Sequence, residues 1–278
     1  MKTRIFISSK TNLNYIRHDS SIEVLNDIIE FYPYEKYEDF NELNDYDFYI
    51  RLKNDSLAKP NFKTMSYDSL NQRIEKAIRN NIDVFVFVIN DNEYELIELI
   101  EKLIEDRKKL NITLIKTKLL LYPLDYALLE ANKTFKETGD IEILKGTLND
   151  IEDRFKFYIF TPDKDLLPSI SKIEYDEDIL NIRRGLLYDC NKDGIMPIKK
   201  YKNRYPFDYL IKSLTIEINN ADVIPFILYT NEYSKYIDLL ERKIKGIKDK
   251  CKIVKEVLPA YYGNLYGINS LIVGFILK

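Results

Sequence analysis

The sequence predicts an α/β protein whose first half is an open, mostly parallel sheet and whose second half begins a further sheet. Three observations carry this reading. Val84-Phe85-Val86-Phe87-Val88-Ile89 is an apolar run without alternation, the pattern of a strand buried on both faces. It stands between two helical stripes, Leu70, Ile74, Ala77 and Ile78 before it and Leu96, Leu99, Ile100, Leu103 and Ile104 after it. The same cadence then returns: Asn80 to Tyr94 is echoed by Asn219 to Tyr233, over about fifteen positions at a constant offset. Either an ancient duplication or two βα units under common packing rules would produce that echo.

In chain order, Arg4 to Ser8 reads as a short strand. Ser20-Ser21-Ile22-Glu23 fits a capping box that opens a helix carrying Val24, Leu25, Ile28 and Ile29 on one face. The stripe from Tyr67 to Asn80, the strand at Val84, the helix after it and a strand near Ile112 to Lys116 form a βαβ crossover. Pro123 to Thr138 is helical in pattern and stops at Gly139, a suitable C-cap, after which Asp140 opens a further helix through about Asp153. Phe155 to Phe160 starts the second half as a strand. Pro225 lacks an amide proton, which places it at a strand start or on an edge.

Composition removes whole classes of function. Lys and Arg number 42 against 45 Asp and Glu, a net charge of −3, so the overall charge offers nothing to nucleic acid or to an anionic membrane. Cys190 and Cys251 are too few for a disulfide framework and point to a reducing, cytoplasmic setting. Ile5-Phe6-Ile7 is too short to be the apolar core of a signal peptide, and no run is long enough to cross a bilayer. His18 is the sole histidine, without a second histidine or a cysteine nearby, and reads as a surface or capping residue. Dinucleotide, P-loop, hydrolase-elbow and zincin motifs are all absent, so no catalytic residue, cofactor or metal site is expected. The carboxylate pairs Asp45/Asp47 and Asp176/Asp178 leave one enzyme alternative, a metal-dependent transferase of the nucleotide-sugar kind.

Glycine is scarce at eight residues, yet three fall in the last sixteen, at Gly263, Gly267 and Gly274. They lie between the strand-like runs Ile253 to Leu258 and Leu271 to Leu277. Glycine at such density marks either a tight turn with a strand bulge or a loop whose backbone faces a ligand.

Read together, several segments resemble the DegV family of two-lobed bacterial fatty-acid-binding proteins. Ile5-Phe6-Ile7-Ser8-Ser9-Lys10-Thr11-Asn12-Leu13 occupies the place of the family's first strand and Asp-Ser-Thr-like turn, with Ser9 where the acid would be. Thr64-Met65-Ser66-Tyr67-Asp68 is similar to Thr-Ser-x-Pro-Ser, and Ile170-Ser171-Lys172-Ile173 echoes Gly-Gly-Arg-Ile. Leu180-Asn181-Ile182-Arg183 resembles Leu-Asn-Ile-Lys, and Asp193-Gly194 precedes a basic cluster ending in Arg204. Gly263-x-x-x-Gly267-x-x-x-Leu271-x-x-Gly274-Phe275 matches the spacing of the closing glycine segment. Two departures fall where the family grips its head group: Asn90-Asp91-Asn92-Glu93-Tyr94 replaces a serine-rich turn, and Leu265 replaces a histidine.

The resemblance implies an N-terminal parallel α/β lobe over residues 1–153, a C-terminal α/β lobe with a mixed sheet over 154–278, and a ligand cleft between them. It implies a long-chain fatty acid or other lipid as ligand, a fatty acid kinase subunit as partner, peripheral membrane contact at most, and no nucleic acid. Its candidate ligand-binding residues are Thr64, Ser66, Asn90, Lys172, Arg204, Gly263, Asn264 and Gly267. Ordinary structural duties are equally expected of them: helix caps for Thr64 and Ser66, a turn for Asn90, surface ion pairs for Lys172 and Arg204. A DegV-like interaction module that has lost lipid binding is the remaining alternative.

Overall fold

The computed structural model describes residues 2–55, 58, 60–161, 186–200, 207–230, 236–247 and 251–278. The chain divides into two compact units, one of residues 1–44 and 58–152, the other of 45–57 and 153–278.

The first unit opens with β1 (Thr3–Ser8), β2 (Ile22–Leu25), β3 (Ile28–Phe31) and β4 (Glu35–Glu38), after which α1 (Asp45–Asn54) belongs to the second unit. It continues through β5 (Asn61–Lys63), α2 (Tyr67–Arg79), β6 (Val84–Asn90), α3 (Tyr94–Asp106), β7 (Asn111–Thr117), α4 (Leu121–Thr138) and α5 (Ile141–Glu152). Four strands form a fully parallel sheet in the order β2-β1-β6-β7. Every residue of β6 is buried, as its unbroken apolar run requires. On one face, Phe6, Phe85 and Phe87 pack with Leu70 and Ile74 of α2 and Leu96, Ile100 and Leu103 of α3. Phe6 and Phe87, cross-strand neighbours, stack at 4.9 Å. A small antiparallel sheet, β4-β3-β5, completes the unit. Gly139 ends α4 at φ +67°, and Asp140 Oδ1 accepts the Glu142 amide at 2.9 Å as α5 begins.

The helix expected from Ser20 to Ile29 is instead β2 and β3. Ile22 to Leu25 pair in parallel with Ile5 to Ser8, which buries Ile22 and Leu25. This long-range pairing with β1 overrides a local capping-box pattern in a segment already rich in β-branched residues.

The second unit contains β8 (Phe155–Thr161), β9 (Leu186–Asn191), β10 (Gly194–Lys200), α6 (Phe207–Asn220), β11 (Val223–Tyr229), α7 (Ile237–Ile247), β12 (Val254–Val257), α8 (Ala260–Tyr266) and β13 (Leu271–Leu277). Its six-stranded mixed sheet has the order β10-β9-β8-β13-β11-β12. Only β11 and β12 pair in parallel. Leu210, Leu214 and Ile218 of α6 and Leu240 and Ile244 of α7 pack on Tyr158, Phe160, Ile227, Leu271 and Phe275. Pro225 sits in an interior strand, but β12 pairs only from Phe226 onward and leaves that position uncovered on its side. Cys190 is fully buried, and burial pushes its thiol well above the usual range.

Candidate functional site

In the first unit the chain passes from β1 to β2 on one side and then to β6 on the other, so the sheet's direction of growth reverses between β1 and β6. In open α/β sheets a crevice forms at such a point, outside the carboxyl ends of the strands. Here the strand ends at that point carry charged side chains. Ser8 Oγ accepts the Lys10 amide at 3.0 Å within the turn after β1, and Ser9 Oγ accepts the Asp27 amide at 3.2 Å, which ties that turn to the end of β2. The Lys10 ammonium lies 3.5 Å from Asp27 Oδ2 and 3.2 Å from Glu93 Oε2. All three side chains are close to nine-tenths buried, at 11 %, 6 % and 9 % exposure. One cation thus faces two buried carboxylates. Burial pushes Asp27 up to about 6; Lys10 opposes the shift, and Glu93 and Glu95 add to it. Asp91, in the turn after β6, is likewise raised by burial.

Thr64 and Ser66 stand just before α2. Ser66 is the N-cap, its Oγ accepting the Ser69 amide at 3.2 Å. The Thr64 hydroxyl donates to Glu95 Oε2, in the first turn of α3, at 3.0 Å. Asn90 is buried at the end of β6. Its Nδ2 donates to Leu119 O at 2.8 Å and its Oδ1 accepts the Asn92 amide at 3.0 Å, so its side chain ties its own turn to the segment before α4. Lys10, Asp27, Glu93 and Glu95 were not among the residues singled out from sequence. A strand reading of Ile22 to Leu25 would have placed Asn26-Asp27 at a strand end and exposed the pattern.

In the second unit, residues 260–266 form α8 rather than a glycine loop. The Asp45 carboxylate accepts the Ala260 amide at the helix start. Tyr49 donates its hydroxyl to Leu258 O at 2.7 Å. Gly263 lies against the Tyr49 ring: a Cβ there would overlap the phenol. Gly267 follows the helix at φ +98°, a conformation that side chains other than glycine rarely adopt. Asn264 is half-buried within α8. At the helix end, Tyr266 O accepts the hydroxyls of Thr161 at 2.5 Å and Ser270 at 2.7 Å. Lys172 and Arg204 lie outside the described residues, as do Asp176 and Asp178 and the Asn231 to Tyr233 end of the internal echo. Among the described residues no three His, Cys, Asp or Glu side chains gather as a metal site, and no helix is long and apolar enough to cross a membrane.

No protein-family model matches the chain, and no curated protein matches it in sequence. Its fold, in contrast, has many solved counterparts. It is similar to a stearic-acid-binding protein from Eubacterium ventriosum, with a TM-score of 0.82 and 14 % identity over 99 % of this chain and 98 % of that one. A fatty-acid-binding DegV family protein from Streptococcus agalactiae superposes with a TM-score of 0.78 and 16 % identity, over 100 % and 99 % of the two chains. DegV, a fatty-acid-binding protein from Bacillus subtilis, does so at 0.77 and 14 %, over the full length of both. The chain is therefore an α/β protein with one parallel and one mixed sheet. Its fold is that of the DegV proteins.

Proposed function

We propose that this chain is a non-catalytic, cytoplasmic carrier that binds a long-chain fatty acid or a related lipid and presents its carboxyl group to a partner kinase. The observation that carries the reading is the likeness in fold, over essentially the whole chain, to proteins described as binding fatty acids. In such a carrier the tail supplies the affinity. Burying roughly a dozen methylenes at about 0.8 kcal/mol each yields on the order of 10 kcal/mol before ordering costs. The head group needs donors, because a carboxylate removed from water without them is prohibitively costly. We assign Thr64 as the first donor, with the neighbouring start of α2 at Ser66 beside it. Carriage requires no nucleophile or general base. The kinase performs the phosphoryl transfer.

The test is to purify the full chain without added ligand, extract it with organic solvent and identify stoichiometric small molecules by mass spectrometry. Near one fatty acid per chain, reduced in Thr64→Ala, supports the reading. A protein that emerges empty and takes up no added fatty acid refutes it.

A further inference from the structure

Thr64 has one hydroxyl proton, and it is directed at Glu95 Oε2 at 3.0 Å. While that bond stands, Thr64 can accept a hydrogen bond but cannot donate one. Glu95 is exposed in the first turn of α3, next to Glu93 at the start of that helix, and Glu93 and Asp27 already share the Lys10 ammonium. A ligand carboxylate approaching Thr64 must displace Glu95 and remain among like charges. A head group that donates a hydrogen bond meets no such conflict, since a carboxylate oxygen and the Thr64 lone pairs are both acceptors.

Resting on the lipid-binding reading above, we propose that Glu95 is a specificity-determining residue that holds the Thr64 proton and tilts the head-group position from carboxylates toward lipids whose head donates a hydrogen bond, such as a fatty alcohol. Glu95 is then a substitute for the ligand's own carboxylate, provided by the chain itself. The tail contacts are indifferent to this exchange, so the effect falls on the ratio between acid and alcohol of equal chain length.

The experiment compares stearic acid and octadecanol on the delipidated full chain, in the parent protein and in Glu95→Ala, Glu95→Gln, Thr64→Ala and the Thr64→Ala/Glu95→Ala double variant. The expected result is about a fivefold gain in stearic acid affinity in Glu95→Ala, with octadecanol unchanged or weaker, and loss of that gain in the Thr64→Ala background. Glu95→Gln, which keeps an acceptor but removes the charge, should fall between the parent and Glu95→Ala. An acid-to-alcohol ratio unmoved by Glu95→Ala overturns the proposal while the carrier reading stands, and so does a gain that persists undiminished without Thr64. If no variant binds either lipid, the carrier reading fails and the inference fails with it.

Discussion

The two sheets end in opposite ways. Where the parallel strands of the first unit stop, charged groups are buried together, Lys10 between Asp27 and Glu93, and the exposed Glu95 engages Thr64. Where β8 and β11 of the second unit stop, the buried polar groups are the uncharged hydroxyls of Thr161, Thr230 and Ser270. Each donates to a main-chain carbonyl. The first arrangement has competing solutions, because one ammonium serves two carboxylates and one hydroxyl proton is claimed by an exposed side chain. The second is closed, and Gly263 and Gly274 are packing solutions, their missing side chains' places taken by neighbouring rings. Groups whose partners can be exchanged respond to ligand and pH; groups satisfied by backbone hold the fold.

Substitutions that add a side chain at Gly274 or Gly263 of the second unit should cause the largest losses. A Cβ at Gly274 would lie 2.6 Å from Phe226 Cζ and 2.7 Å from the Lys156 carbonyl oxygen, and closer still to Phe157 Cβ, in the middle of a buried strand. Gly274→Ala should cost about 3 kcal/mol in urea unfolding. An unchanged midpoint would show that the sheet is looser than described. Gly263→Ala should cost less, about 2 kcal/mol, because the Tyr49 ring can rotate away at the expense of its bond to Leu258 O.

Two helix starts give a matched comparison between the units. Asp45→Ala removes the acceptor for the Ala260 amide, and Ser66→Ala removes the N-cap of α2; each should cost about 1 kcal/mol. If the first unit's strand ends are adaptable, Ser66→Ala should also change lipid binding, whereas Asp45→Ala should lower stability alone.

Asp27→Asn is read from the shape of the pH profile rather than from stability at a single pH. Burial raises Asp27 from an ordinary 3.8 to about 6, so between these values the folded chain binds more protons than the unfolded one. Stability from this group is fully present below about pH 4 and is lost as pH rises through about 6. Asp27→Asn should flatten that part of the stability curve. A variant that keeps the parent's slope would place the titration elsewhere.

Much of the fold was legible because the deciding forces are local. The unbroken apolar run of β6 announces burial on both faces, the stripes of α2 and α3 match their packing against Phe85 and Phe87, and Gly139 marks the end of α4 by its left-handed φ. The misread elements were decided at a distance. β2 exists because β1 lies beside it. α8 tolerates Gly263 at its centre because Tyr49, whose bond to Leu258 spans 209 residues of sequence, fills the missing side chain's place. The charged corner was hidden by the first of these, since Asp27 lies at a strand end only once Ile22 to Leu25 are a strand. The resemblance pointed to Thr64 as a donor; that Glu95 takes its proton depends on how α3 is oriented against the segment before α2.

The central claim is that this chain carries a fatty acid. Native mass spectrometry of the delipidated full chain titrated with stearic acid tests it most directly. The account predicts saturation at one acid per chain and, in the Glu95→Ala background where Thr64 is released to donate, affinity lowered roughly fivefold when Thr64 is also replaced by alanine. Absence of a saturable adduct in the parent protein would contradict it.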